Sequence, residues 1–182
     1  ELDSYPYELF YIFGVDWDEN NLSTEIQNLE STLLNADIVL KVKSNGNNLH
    51  YFKEIMQQAE IIEVFKGSGF EINQIIDIIT PFRVLLFDDL GVTGSYNDFF
   101  KKNHEYLLFD KKIPSYMSVN NHTIMIVCEQ LVSYFDYTET LSFLTNSFNH
   151  SYKEVKDHEY FGTEKVLTCT LDLREKMLSL FQ

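Results

Sequence analysis

Residues 84–91, VLLFDDLG, bring two adjacent carboxylates, Asp88 and Asp89, to the end of an apolar run. A buried strand of this form can deliver paired carboxylates to Mg²⁺ beside a nucleotide phosphate. That chemistry needs a companion loop, G-x-x-x-x-G-K-[ST], whose backbone amides cradle the phosphates. The chain has no such loop, and its nearest glycine cluster, FKGSGFE, lacks the spacing. A response-regulator arrangement would place the acidic pair after the first strand, whereas this one sits near mid-chain. The plainer expectation is that Asp88 and Asp89 turn the chain out of the core and Gly91 closes the turn.

A second oxygen-rich stretch is DWDENN, residues 16–21. Asp16, Asp18 and Asn20 have the alternate spacing of the first three ligands of a calcium loop. Asn21 stands where that loop needs glycine, and Gln27 where it needs glutamate, so this is not an EF-hand. No cofactor is expected, although Asp16, Asp18 and Asn20 have the oxygens for a looser Ca²⁺ site. The alternative is an acidic turn that favours the positive end of a following helix.

The histidines, at 50, 104, 122, 150 and 158, show no zinc spacing. His104-Glu105 and His158-Glu159 each lack the second histidine of H-E-x-x-H. His150 and His158 lie in a polar segment and read as solvated. Cys128 and Cys169 form no C-x-x-C and sit in apolar or β-branched stretches, as buried thiols do. An oxidising compartment would allow one disulfide between them. No G-x-S-x-G elbow exists, so no residue stands out as a nucleophile and the reading leans away from an enzyme.

The elements that must carry these residues follow from patterning. Residues 7–15 read as a strand, and T-E-I-Q from Thr24 opens an amphipathic helix with Gln27 completing a capping box. Residues 38–43 read as a strand, SNGNN as a turn, and 49–65 as a helix ended by Lys66-Gly67. FEINQIIDII fits helix or strand and is ended by Pro81. RVLLF reads as a strand, and Ser95 and Asp98 as a second capping box with a short helix over 97–104. Residues 105–110 and 122–132 read as strands, a helix starts near Thr138, and 164–173 reads as a last strand by period-two alternation.

The sum is one acidic α+β domain over residues 1–182, with a mixed or mainly antiparallel sheet of about six strands and about four helices. No repeat or Pro/Gly-rich linker divides it. The apolar runs, such as VLLF and IMIV, fall far short of the roughly 20 residues of a membrane helix. The chain begins at Glu1. Without an initial Met, it is expected to be a processed extracellular or anchored ectodomain, or else a trimmed cytoplasmic protein. Sequons stand at Asn21, Asn121 and Asn149.

Charge points to a partner class. With 28 acidic against 14 basic residues the net charge is −14. Clustered lysine and arginine, which phosphate recognition needs, are missing, so nucleic acid is not an expected ligand. Arg83 and Arg174 are the only arginines. Carboxylates with tyrosine and tryptophan anchors suit a basic protein surface. The leading expectation is a non-enzymatic protein that blocks or holds such a partner, of the immunity-protein or inhibitor type, through Asp16, Trp17, Asp18, Asp88 and Asp89. The alternatives are a Ca²⁺- or Mg²⁺-dependent hydrolase or calcium-binding domain on the same carboxylates, and a structural or virus-encoded interaction module whose charge serves solubility.

Overall fold

A computed structural model describes residues 9–12, 21–51, 54–83, 85–87, 90–93, 100–111, 123–126, 134–139, 141–145 and 158–182. The protein is α+β. In chain order the elements are β1 (Leu9–Ile12), α1 (Leu22–Leu34), β2 (Ile38–Tyr51), β3 (Glu54–Lys66), β4 (Ile75–Arg83), β5 (Leu85–Phe87) and β6 (Leu90–Thr93). There follow β7 (Glu105–Lys111), β8 (Thr123–Ile126), β9 (Tyr134–Asp136), β10 (Phe143–Thr145), β11 (Tyr160–Gly162) and α2 (Glu164–Leu180).

Six strands form one mixed sheet in the order β2-β3-β4-β8-β7-β9, and an added β2–β7 pairing closes five of them into a ring. All neighbours in the ring run antiparallel except β4 and β8, which are parallel. A five-stranded closed ring of this connectivity is a Greek-key barrel of the OB type. Closure pairs β2 on both flanks from Val39 to Lys43, with β3 on one side and β7 on the other. Two smaller sheets stand apart: β1-β6-β5, with β1 and β6 parallel, and the parallel pair β10-β11.

Alternation along the strands sorts the core into two layers. Ile38, Leu40, Val42, Ala59, Ile61, Ile76, Ile78, Tyr106, Leu108 and Ile124 pack on one face as the barrel interior. Val39, Leu107, Phe109 and Phe135 face the other way, against Leu29 and Leu33 of α1 and Val166, Leu173 and Met177 of α2. Strands buried on both faces lose the apolar–polar alternation that identifies a half-exposed strand.

The largest correction to the expected elements falls on β3, whose apolar residues stand on both faces although its outer face is only partly covered. The helix expected over 49–65 is the end of β2 and the whole of β3. Its apolar residues fill both faces of a strand, and the run Ile61-Ile62-Glu63-Val64-Phe65 is β-branched and aromatic. Of the ambiguous segment before Pro81, residues 75–79 lie in strand β4, which continues through Pro81 to Arg83. The register steps from Thr80 opposite Ile55 to Arg83 opposite Glu54, so the proline, with no N–H to donate, sits in an irregularity of the ladder.

SNGNN does not reverse the chain. Ser44 pairs with Ala59 and Asn48 with Gln57, so the residues between them bulge out of β2. Gly46 takes φ +79 there. The strand expected over 164–173 is α2, with Thr163 as N-cap. Its buried residues Val166, Leu167, Thr170, Leu173 and Met177 have helical spacing, which a period-two reading of 164–173 passes over. The region after Thr138 holds strand β10, not a helix. Residues 100–104 are non-helical, and α1 starts at Leu22 with Asn21 as N-cap and no side-chain capping bond. Among the described residues there are therefore two helices, where about four were expected. No helix among them is long and apolar enough to cross a membrane.

Candidate functional site

One end of the barrel is closed by residues 100–104. The Phe100 N–H donates to Gln57 Oε1 at 2.7 Å, and the Phe100 ring stacks on Tyr106 and meets Tyr134 edge-on. The Lys101 N–H donates to the Tyr106 hydroxyl at 2.7 Å. Asn103, at φ 68, turns the chain. Two backbone bonds then clip this turn to the β2 bulge, from Asn103 N–H to the Ser44 carbonyl and from Ser44 N–H to the His104 carbonyl. His104 is thereby fixed at the entrance to β7.

Asp136 reaches the same place from β9, whose register sets it opposite Tyr106. His104 Nδ1 lies 2.7 Å from Asp136 Oδ2, and Thr138 N–H donates to Asp136 Oδ1 at 2.7 Å. The Thr138 hydroxyl is 3.2 Å from the same His104 nitrogen. The backbone around Asp136 is held from outside the sheet. Arg174 of α2 donates from Nε to the Asp136 carbonyl at 2.9 Å and from its terminal nitrogen to the Thr138 carbonyl at 2.8 Å. The buried Tyr160 hydroxyl accepts from Asp136 N–H at 3.4 Å, and burial pushes its ionisation far up, so it stays a neutral phenol.

Glu159, just before β11, is the third member. Its Oε1 meets Lys101 Nζ at 2.5 Å and its Oε2 accepts from Ser142 N–H at 2.6 Å. One ligand atom from each of His104, Asp136 and Glu159 lies within 4.8 Å of the others. The Asp136 side chain is 2% exposed and that of Glu159 10%, while His104 is 30% exposed and opens the group to solvent. Beside it, Ser142 Oγ and His158 Nδ1 are 2.6 Å apart. His158 is half-buried and bonded, not solvated as its polar segment implied. Two carboxylates and an imidazole within this span can hold a proton or a cation.

A second polar feature crosses the outer barrel wall. Asn45 and Asn47 donate to Gln58 Oε1, and Gln58 Nε2 donates to Asp77 Oδ1. Nearby, Lys41 pairs with Glu105 at 2.9 Å and lies over the Tyr137 ring, 4.3 Å from its centre. Burial, then Glu63 and Glu105, push the Tyr137 phenol up to about 12, which keeps its hydrogen bond to the Phe181 carbonyl intact.

The residues first singled out for chemistry, Asp16, Trp17, Asp18, Asn20, Asp88 and Asp89, lie outside the described residues. Cys128 does too, while Cys169 is a half-buried free thiol on α2. Of the sequons, Asn21 is described, at the start of α1. The His104, Asp136 and Glu159 group was not anticipated from the sequence. Its one trace there is the pair of His-Glu steps, which contribute His104 from the first and Glu159 from the second. No family model matches the chain, and no curated protein matches it.

Proposed function

We propose that the protein is an acidic binding module that holds or blocks a basic protein partner. The observation that carries this reading is an unneutralised acidic ridge along α2. Glu164, Asp172 and Glu175 are exposed and share one helix face at the spacing of successive turns. Among the described residues they make no ion pair, whereas Lys41, Lys101 and Lys176 are each held by a glutamate. The net charge of −14 extends this imbalance to the chain as a whole. Such a surface accelerates encounter with a basic protein, and Trp17 with the carboxylates Asp16, Asp18, Asp88 and Asp89 is the proposed anchor that slows dissociation.

The test is capture from the native source on immobilised protein at low salt, followed by elution at high salt. The reading expects a basic protein in the high-salt fraction. It also expects that variants reversing Glu164, Asp172 and Glu175, or Asp16, Asp18, Asp88 and Asp89, cut the association rate about tenfold or more. A partner that stays bound in high salt, or one whose association ignores both sets of reversals, would overturn it.

A further inference from the structure

We propose that His104, Asp136 and Glu159 form a three-ligand site for a divalent transition-metal ion of the zinc or manganese class. The argument starts from charge. Asp136 is 2% exposed, and a carboxylate so deeply buried is costly unless a cation compensates it. Among the described residues its carboxylate touches no lysine or arginine. Its partners are the Thr138 N–H and His104, which is a cation only when protonated. Arg174, the nearby permanent cation, directs Nε and one terminal nitrogen to the carbonyls of Asp136 and Thr138. Among the described residues the Asp136 carboxylate therefore has an imidazole and a backbone N–H beside it and no direct contact with a permanent cation.

Geometry adds the other ligands. Glu159 is 10% exposed and brings a second carboxylate to the same place, and the three donor atoms fall within 4.8 Å of one another. They arrive from three separate segments, each tied down: His104 by the turn clipped to Ser44, Asp136 by Arg174, and Glu159 by Ser142. Ligands of one ion with bonds of about 2.1 Å stand roughly 3 to 3.5 Å apart. The 2.7 Å between His104 Nδ1 and Asp136 Oδ2 is a hydrogen-bond distance, so the pair opens slightly as an ion enters. Lys101, now on Glu159, is the built-in competitor that an ion displaces. One imidazole with two carboxylates suits Zn²⁺ or Mn²⁺ better than Ca²⁺, which favours oxygen alone. Three protein ligands leave a position open on the exposed His104 side.

Protein stripped with chelator would be titrated calorimetrically with Zn²⁺ and with Mn²⁺, with Co²⁺ as a visible-absorbance probe. One ion per chain is expected, with a rise in Tm. His104→Ala, at the exposed edge of the group, and Glu159→Gln should each weaken binding at least tenfold, and Lys101→Met should tighten it. The circular dichroism of each metal-free variant reports whether it folds. If Glu159→Gln does not fold, His104→Ala and Lys101→Met decide. No binding by any of the three ions would overturn the assignment. So would affinity that is unchanged in His104→Ala, or that falls in folded Lys101→Met.

Discussion

Asp110 lies directly opposite Ile38 in the β7–β2 register, with both carboxylate oxygens buried and without a hydrogen-bond partner among the described residues. By alternation it shares the face of Tyr106 and Leu108, the apolar interior of the barrel. Burial raises its carboxyl well above the ordinary value of 3.8, so it is carried as the neutral acid. The unfolded chain releases this proton near the ordinary value and the folded chain does not. The contribution of Asp110 to stability is therefore full below its unfolded pKa and is lost as pH rises toward the folded one. Denaturant melts over a pH series should show this loss, and Asp110→Asn should flatten it.

Arg174 is expected to be irreplaceable by lysine. Its guanidinium spans two carbonyls, at Asp136 and Thr138, and ties α2 to the end of β9. Arg174→Ala should cost about 1–3 kcal/mol by stranding these acceptors. Arg174→Lys should recover little, because one ammonium cannot reproduce the planar fork. Urea unfolding of the two variants checks both statements.

Gly46 and Gly69 form an internal comparison. Both have positive φ, +79 and +86, but a Cβ on Gly46 would lie 2.8 Å from the Lys102 Cβ, while one on Gly69 would meet nothing within 4 Å. Alanine in a left-handed conformation costs roughly 1–2 kcal/mol. Gly69→Ala should show about that, and Gly46→Ala visibly more, because the turn that closes the barrel must shift. Thermal melts of the pair separate conformational strain from crowding.

Phe109 couples the sheet to the C-terminal helix. Its ring meets Phe135 and Phe181 edge-on, with centres 6.0 Å and 5.6 Å away. Phe109→Ala should cost about 3–5 kcal/mol, as for other large core aromatics. Limited proteolysis should then cut within α2 sooner than in the wild type, since the residue removed is part of the apolar surface on which α2 packs.

Elements with one dominant signal could be read from the chain alone. Residues 38–43 and 105–110 are strands close to where their apolar runs predicted them, and α1 follows the spacing of Leu29 and Leu33. Failures came where two demands act on one segment. β3 carries apolar residues on both faces, with Ala59 and Ile61 buried inside the barrel and Ile62 and Phe65 half-buried on the other side, and so imitates a helix. Asn45-Gly46-Asn47 has the composition of a turn but makes a bulge, because turn residues serve any backbone that leaves the ladder. The site was less legible. His104, Asp136 and Glu159 come from three distant segments and meet only through the register of β7 with β9 and the placing of β11. No local spacing encodes such a meeting.

Ring closure has a kinetic consequence. The pairing of Ile38 with Asp110 brings together residues far apart along the chain, and the parallel β4–β8 contact must wait for residues 123–125. Non-local pairing of this kind slows folding. During synthesis β2, β3 and β4 emerge as a meander with β2 unpaired along one side, the kind of exposed edge that recruits other chains. Fragments that end before β7 should therefore aggregate, and the ribosome-bound chain should resist protease only after β8 has left the exit tunnel.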